Sequence, residues 1–286
     1  MRIILDCNAI CHREKHTMGE LSYHEKKVGI IFGFLRQVLK FAKRYGTNNF
    51  IFCWDSQESL RKKVYRPYKE NRNKKDRTDE ERHDDSLAYD QFTIIKEEIL
   101  PTIGFKNIFE EDGFESDDLI AKIIKDRAAS DFVIVTSDND MYQLLDDERI
   151  IIYDLRNKRE YIDEDFQLEY GILPRQWSSV KALAGCTTDN VEGIKGVGVP
   201  TAIKYYRQEL NPKSKVHQRI ESEDGQCIYK RNMELVKLPY KGTPILVFSK
   251  DNLKLERFES ICIKYGFSSY LKKENFNEWR RSLELK

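Results

Sequence analysis

The sequence predicts an α/β fold: a mostly parallel sheet flanked by helices, followed from about residue 166 by a smaller helical module. Three short apolar runs carry the first part of that reading: Ile3-Ile4-Leu5, Phe50-Ile51-Phe52-Cys53-Trp54 and Phe132-Val133-Ile134-Val135. Each is too short and too rich in β-branched or aromatic residues to prefer helix, so each reads as a buried strand. Between the first two, Ile31, Phe34, Leu35, Val38, Leu39 and Ala42 recur at helical spacing over Val28 to Arg44. Strand, helix and strand at this separation imply parallel pairing through right-handed crossovers.

The remaining elements follow in order. Asp117 to Ala128 and Asp140 to Leu145 read as helices, Arg149 to Tyr153 and Glu160 to Ile162 as an edge hairpin, and Asp163 as the start of another helix. Trp177 to Leu183 is helical, a glycine-rich stretch follows, and Pro200 to Leu210 forms the next helix. Residues 211–243 carry Pro, Lys, Ser and Gly without clear periodicity and read as loops. Leu253 to Tyr265 is an amphipathic helix closed by Gly266. The expected division is 1–165 for the α/β core and 166–286 for the helical module.

With 40% hydrophobic and 34% charged residues, the composition is that of a globular chain with a highly charged surface. The formal net charge of +1 conceals segregation. Residues 61–82 hold ten Lys/Arg against five Asp/Glu, and residues 110–118 hold six acids and no base. The first suits a polyanion and the second divalent cations, a combination that suits nucleic acid. The six cysteines (Cys7, Cys11, Cys53, Cys186, Cys227 and Cys262) form no Cys-x-x-Cys pair, which favours free thiols in a reducing compartment. Asp6 interrupts the early apolar run, so no signal peptide is expected. No apolar window approaches the ~18 residues of a membrane span. The chain is expected to be soluble and cytoplasmic.

All three strands end in an acid: Asp6, Asp55 and Asp138. The C-terminal strand ends of a parallel sheet share one edge, where sites form. One such aspartate is readily explained as a helix cap or turn former. Three, joined by Glu115-Ser116-Asp117-Asp118 and Ser137-Asp138-Asn139-Asp140, point to a cation that offsets their repulsion. Asp118 is counted with these metal carboxylates, although an acid in a first helical turn also meets the macrodipole. Hard oxygen donors without histidine suit Mg²⁺ or Mn²⁺. Two such ions about 4 Å apart can activate water and stabilise a phosphodiester leaving oxygen.

The order and spacing of these acids resemble the 5′-nuclease superfamily, which includes the 5′ nuclease domain of bacterial DNA polymerase I, phage 5′ exonucleases and flap endonucleases. The matching features run from Asp6 to about Leu271. The resemblance implies a PIN-like core and a metal-dependent 5′-3′ exonuclease or flap endonuclease. Asp6, Asp55, Glu115 and Asp117 would hold a first ion, and Asp117, Asp138 and Asp140 a second. The substrate would be DNA with a 5′ end or 5′ flap, bound by a monomer, with replication proteins as conceivable partners. Because no polymerase segment accompanies these features, a stand-alone enzyme is expected.

Downstream of the second strand, Arg61-Lys62-Lys63-Val64-Tyr65-Arg66-Pro67-Tyr68-Lys69-Glu70-Asn71-Arg72 alternates cations with Tyr rings. Such a segment neutralises phosphates and stacks bases, or is simply a solvated face. Tyr-Arg-Pro-Tyr-Lys-x-Asn-Arg is similar to the superfamily's signature at this point. That likeness makes Tyr65, Arg66, Tyr68, Lys69 and Arg72 DNA-binding residues. Lys69 and Arg72 would act on the scissile phosphate, and Tyr68 would stack on the neighbouring base. The resemblance places an arch or clamp over about residues 56–92, and its charged part, 73–90, is expected to order on DNA.

Gly193-Ile194-Lys195-Gly196-Val197-Gly198-Val199-Pro200-Thr201-Ala202 fits a helix-hairpin-helix within about residues 185–210. Its glycines admit a phosphate close to the backbone, and Pro200 suits a first helical turn. Lys195, Gly196, Gly198 and Thr201 would hold duplex DNA, and by resemblance K⁺ would sit on backbone carbonyls. One departure stands out. Where the superfamily has Gly-Asp-x-x-Asp-Asn, this chain has Gly185-Cys186-Thr187-Thr188-Asp189-Asn190. A thiol is a poor ligand for Mg²⁺, so the second metal site is expected to be weakened, with Asp189 a candidate to compensate. Two alternatives remain at this point: a DNA-junction binding protein with weak or lost catalysis, and an RNA nuclease of the PIN type.

Overall fold

The computed structural model describes residues 1–72, 78–146 and 149–286. Its centre is a six-stranded sheet of β1 (Arg2–Asp6), β2 (Phe50–Cys53), β3 (Ile108–Phe109), β4 (Phe132–Thr136), β5 (Ile150–Asp154) and β6 (Arg159–Tyr161), in the order β3-β2-β1-β4-β5-β6. The first five strands pair in parallel, and β6 returns antiparallel to β5 as an edge hairpin. Ile3 lies beside Phe50 and Val133, and Leu5 beside Phe52 and Val135. The strand order reverses on either side of β1, so the carboxyl ends of β1 and β4 flank the crevice where open α/β sheets bind ligands.

Both faces of the sheet are covered, as an apolar parallel sheet requires. Ile3, Leu5, Phe52 and Val135 pack on one side with Phe34, Leu35 and Val38 of α2 (Gly29–Tyr45). Ile4, Ile51 and Ile134 face the other side, against Leu119, Ile120 and Ile123 of α4 (Ser116–Asp126). The chain enters α1 (Cys7–Met18) directly from β1, and the side chain of Asp6 caps that helix. The helix α3 (Asp79–Ile94) opens on a capping box between Thr78 and Glu81. Further on come α5 (Asp163–Tyr170), α6 (Trp177–Ala184), α7 (Val199–Tyr206), α8 (Lys215–Glu221), α9 (Glu223–Val236), α10 (Leu255–Lys264) and α11 (Lys273–Ser282).

The sequence-derived α/β class, the parallel pairing and the edge hairpin all appear in this architecture. Three local expectations need correction. Residues 211–243 contain α8 and α9 rather than loops; Ser214 and Ser222 cap them through the amides of His217 and Gly225. Their few buried apolar residues, Ile220, Leu235 and Val236, are too sparse to announce a helical period. Asn139–Leu144 is a 3₁₀ helix rather than an α-helix. Within the charged segment expected to order only on DNA, residues 79–90 are already helical; acids at Asp79, Glu80 and Glu81 meet the positive helix start. Residues 73–77 of that segment lie outside the described residues.

The last two helices do not form a separate layer. Phe258, Ile261, Trp279 and Leu283 join the same apolar cluster as Ile3 and Phe34. Trp177, Val180, Ile194, Val197 and Ala202 join the cluster on the opposite face. The two halves of the chain therefore share both cores.

Candidate active site

The strand ends deliver the first acids. Asp6 is the last residue of β1, and Asp55 and Asp138 each stand two residues beyond the ends of β2 and β4. Adjacent strands are about 4.8 Å apart, so three such acids converge without any long-range accident. Glu115 and Asp117 come from the first turn of α4, which is tied to the sheet by Ser116. The Ser116 amide donates to Asp55 Oδ1 at 2.8 Å, and its hydroxyl donates to Asp6 Oδ1 at 3.2 Å. Asp6, Asp55, Glu115, Asp117 and Asp138 line one open cavity of about 460 Å³.

The electrostatics of this cavity are those of a cation site. Asp6 is 7% exposed and accepts from the Thr136 hydroxyl at 2.8 Å and the Ala9 amide at 3.2 Å. Burial, and then the charge of Asp55, nevertheless push its carboxyl up to about 7. Burial, with Asp118 beside it, holds Asp117 well above the usual carboxylate range, and its Oδ1 is buried without a hydrogen-bond partner. An orphaned buried oxygen among crowded carboxylates fits a divalent ion with oxygen ligands, Mg²⁺ or Mn²⁺.

Glu115 and Asp118 are used differently. Glu115 Oε2 accepts from Lys69 Nζ at 2.6 Å and from the Tyr68 hydroxyl at 3.0 Å. Burial opposes its charge, but Lys69 and then Arg61 bring it below the usual range. Asp118 is fully buried, and both its oxygens receive the Arg61 guanidinium, at 2.6 and 2.8 Å. They also accept the amides of Glu115 and Tyr240. The structure thus sets Asp118 apart from the metal carboxylates with which the sequence grouped it. Its nearest cation is Arg61, which is itself buried and donates to the Leu235 carbonyl at 2.7 Å.

The basic segment is stapled to the glycine-rich hairpin. The Lys69 amide donates to the Asp189 carbonyl at 2.8 Å, Asn71 to the Thr187 carbonyl at 3.0 Å, and Asn190 to the Pro67 carbonyl at 2.8 Å. Gly185 makes the hairpin possible: at φ +77° a Cβ would lie 2.4 Å from the Gly193 nitrogen and 2.5 Å from the Val191 oxygen. Tyr68 is a correction. Rather than offering its ring to a base, it is 3% exposed and packs with Ala182, Cys186 and Leu235. Tyr65 is half-buried beneath the Arg231 guanidinium, Arg66 is exposed, and Lys69 and Arg72 line the cavity. A second cavity of about 500 Å³ continues from it, past Asn8, His12 and Lys62, to Tyr89 and Phe92 of α3.

Asp140, Cys186 and Asp189 bring one ligand atom each to within 4.8 Å of one another. Asp140 is paired with Lys181 at 2.7 Å, and Asp189 with Arg72 at 2.6 Å. Burial, with Asp140 and Asp189 adding to it, pushes the Cys186 thiol up. In the helix-hairpin-helix, Lys195, Gly196 and Gly198 are exposed while Ile194 and Val197 are buried, and Gly196 has φ +80°. Thr201 stands in the first turn of α7, and the Arg219 guanidinium donates to the Lys195 carbonyl. Sequence reasoning missed Arg61, Thr136 and Lys181, and also Arg156, which lines the cavity and donates to Asn139 Oδ1 at 3.1 Å. Thr136, a polar residue at the end of an apolar strand, carried a readable signal; a lone lysine within α6 carried none.

The profile of the family described as "5'-3' exonuclease, N-terminal resolvase-like domain" matches residues 1–171. The chain belongs to this family. The 5'-3' exonuclease of Bacillus subtilis is 30% identical over 181 residues, covering 62% of this chain and 57% of that protein. The thermostable DNA polymerase I of Thermus thermophilus is 29% identical over 211 residues, 72% of this chain. This chain spans 24% of that polymerase's length. Among solved structures, the T5 5'-exonuclease with bound zinc superposes with a TM-score of 0.72 at 22% identity, covering 99% of this chain and 98% of that one. Flap endonuclease-1 from Methanococcus jannaschii gives 0.57 at 12% identity, over 99% and 92%. These likenesses establish that the fold is shared with both. No helix among the described residues is long and apolar enough to cross a membrane.

Proposed function

We propose that the chain is a structure-specific 5′ nuclease, a 5′-3′ exonuclease or flap endonuclease that hydrolyses DNA phosphodiesters with divalent metal ions. The observation that carries this reading is the single cavity lined by Asp6, Asp55, Glu115, Asp117 and Asp138, with Lys69 and Arg72 at its side. Asp6, Asp55, Asp117 and, through its neighbours, Glu115 and Asp138 would hold Mg²⁺ or Mn²⁺. Such an ion, when held there, would supply positive charge at the phosphate and lower the pKa of a nearby water. Lys69 is fixed by Glu115 and stays protonated, since Glu115 and then Asp189 outweigh the burial that opposes its charge. It therefore presents a fixed ammonium to a phosphate oxygen, and Arg72, more exposed, a guanidinium.

The cavity that runs on to Tyr89 and Phe92 would receive the 5′ strand, and the amides and Lys195 of the glycine turn the duplex. K⁺ on the carbonyls of that turn belongs to the same reading, with the Lys195 carbonyl already claimed by Arg219. A binding-only role draws no support, because the first group of carboxylates is fully assembled. Product lengths from 5′-end-labelled flap, nicked and blunt duplexes test the proposal. Metal-dependent release of products from the 5′ side, lost on Asp117→Asn, is expected. Binding of all three substrates without any cleavage in Mg²⁺ or Mn²⁺ would overturn it.

A further inference from the structure

The two groups of acids at the site are charged very differently. Asp6 receives its hydrogen bonds from an amide and two hydroxyls, and Asp55 from the Ser116 amide. Asp117 Oδ1 receives none. Among the described residues, no ammonium or guanidinium forms an ion pair with any of these three. Arg61 and Lys69 offset their repulsion only from a distance, without an ion pair, so an added cation would be favoured among them.

The second group has its cations built in. Lys181 Nζ stands 2.7 Å from Asp140 Oδ1, with side chains 15% and 14% exposed. Arg72 Nη2 stands 2.6 Å from Asp189 Oδ1. The third position is Cys186, 7% exposed, whose Sγ is 3.0 Å from the Thr188 hydroxyl. A hydrogen-bonded thiol contributes no negative charge and is a soft donor mismatched to Mg²⁺. An ion entering here would meet an ammonium and a guanidinium already beside two of the carboxylates, and a sulfur where a third oxygen would be needed, although Asp140 Oδ1, like Asp117 Oδ1, is buried without a hydrogen bond.

Resting on the nuclease reading above, we infer that this chain holds one divalent ion tightly, at Asp6, Asp55 and Asp117, and that Lys181 and Arg72 supply the positive charge at the Asp140–Cys186–Asp189 position in place of a second ion. Lys181 is then a part of the site rather than a surface lysine that happens to lie near it. The step from two ions to one follows from a single side chain, since an aspartate at 186 would restore a third carboxylate within reach of Asp140 and Asp189.

The test is a count. The full chain, stripped of metal, is titrated with Mn²⁺, and bound ions are counted from the electron paramagnetic resonance signal of the free ion. One tight equivalent is expected. In Cys186→Asp a second equivalent should appear, bound at least about tenfold more tightly than any weak second binding in the parent. Lys181→Gln, which keeps the thiol, should also strengthen second-ion binding on the order of tenfold by removing a neighbouring unit charge. Two tight equivalents in the unaltered chain would overturn the inference and leave the nuclease reading standing. No bound equivalent would overturn both. Because the parent count needs no variant, a Cys186→Asp chain that fails to fold leaves the test decisive.

Discussion

Replacing Arg61 decides whether Asp118 belongs to the fold or to the metal. The Arg61 guanidinium donates to both Asp118 oxygens at 2.6 and 2.8 Å, with 1% of Arg61 and none of Asp118 exposed. Removing one partner of such a pair strands the other charge in the interior, at a cost of about 3–5 kcal/mol. In a chain of this length each kcal/mol is worth about 2 °C, so Arg61→Met should lower Tm by about 6–10 °C. Asp118→Leu should lower it comparably. The double replacement strands no charge, and it should cost less than the sum of the singles by about 2 kcal/mol or more. Thermal melts of the four proteins in chelator give this cycle. Repeating them with Mg²⁺ adds the second readout, in which Asp118→Asn should keep the rise in Tm that the ion confers. Strict additivity of the two changes, or loss of the Mg²⁺-induced rise in Asp118→Asn, would refute the assignment of Asp118 to the fold.

The carboxylates crowded into the cavity should reveal themselves through pH. The folded Asp6 carboxyl lies near 7 against an ordinary 3.8, so the stability it permits is complete below about 3.8 and is lost as pH rises through about 7. In chelator, the melting temperature should therefore fall between pH 6 and pH 8, and Mg²⁺ should shrink that fall; a metal-free chain equally stable at both would count against the crowding of Asp6 and Asp55. Asp117→Asn should raise the stability of the metal-free chain, by relieving repulsion at a buried carboxylate, while abolishing Mg²⁺-induced stabilisation; calorimetry with and without the ion reads both. Lys69→Ala should lower the single-turnover cleavage rate by about 10²–10³ with a much smaller change in DNA affinity, and equal losses in both would move Lys69 from the reacting phosphate to general binding. Gly185→Ala should destabilise by more than about 1 kcal/mol, because its Cβ meets backbone atoms that cannot retreat, and a neutral effect in urea melts would contradict the tight hairpin.

The parts of the molecule legible in the sequence are those written in local signals. β1, β2 and β4 are uninterrupted apolar runs because both faces are covered, and the acids that follow them are adjacent to those runs in sequence. Helix α2 announced itself through six apolar residues at helical spacing. Helix α9 did not, because its buried apolar residues, Leu235 and Val236, are few and adjacent, and it also buries a polar side chain. Its Asn232 is fully buried and donates to the carbonyls of Ala182 at 2.8 Å and Glu192 at 2.9 Å. A side chain that closes a hydrogen-bond account between α6 and the hairpin leaves no hydrophobic period. The same cause hid the roles within the basic segment. Arg61, Tyr68, Lys69 and Arg72 look alike in sequence as members of one charged run. They part company only through residues far along the chain: Asp118 and Leu235 for Arg61, Glu115 for Tyr68 and Lys69, and Asp189 for Arg72.

That divergence also says why the site works as one piece. Residues 67–71 are bonded to the 187–190 turn through the Lys69 amide, the Asn71 side chain and the Pro67 carbonyl, and α9 reaches the first turn of α4 through Arg61, which bonds both Leu235 and Asp118. The glycine-rich turn follows directly from the hairpin that carries Asp189, so under the proposed function a phosphate at Gly198 and one at Lys69 would be referred to the same backbone. Hydrogen bonds of this kind, each modest in net terms, fix a geometry more than they add stability. A duplex gripped by the helix-hairpin-helix would therefore set how far its 5′ strand reaches into the carboxylate cavity. Loosening the 187–190 turn should then blur the position of the cut before it abolishes cutting.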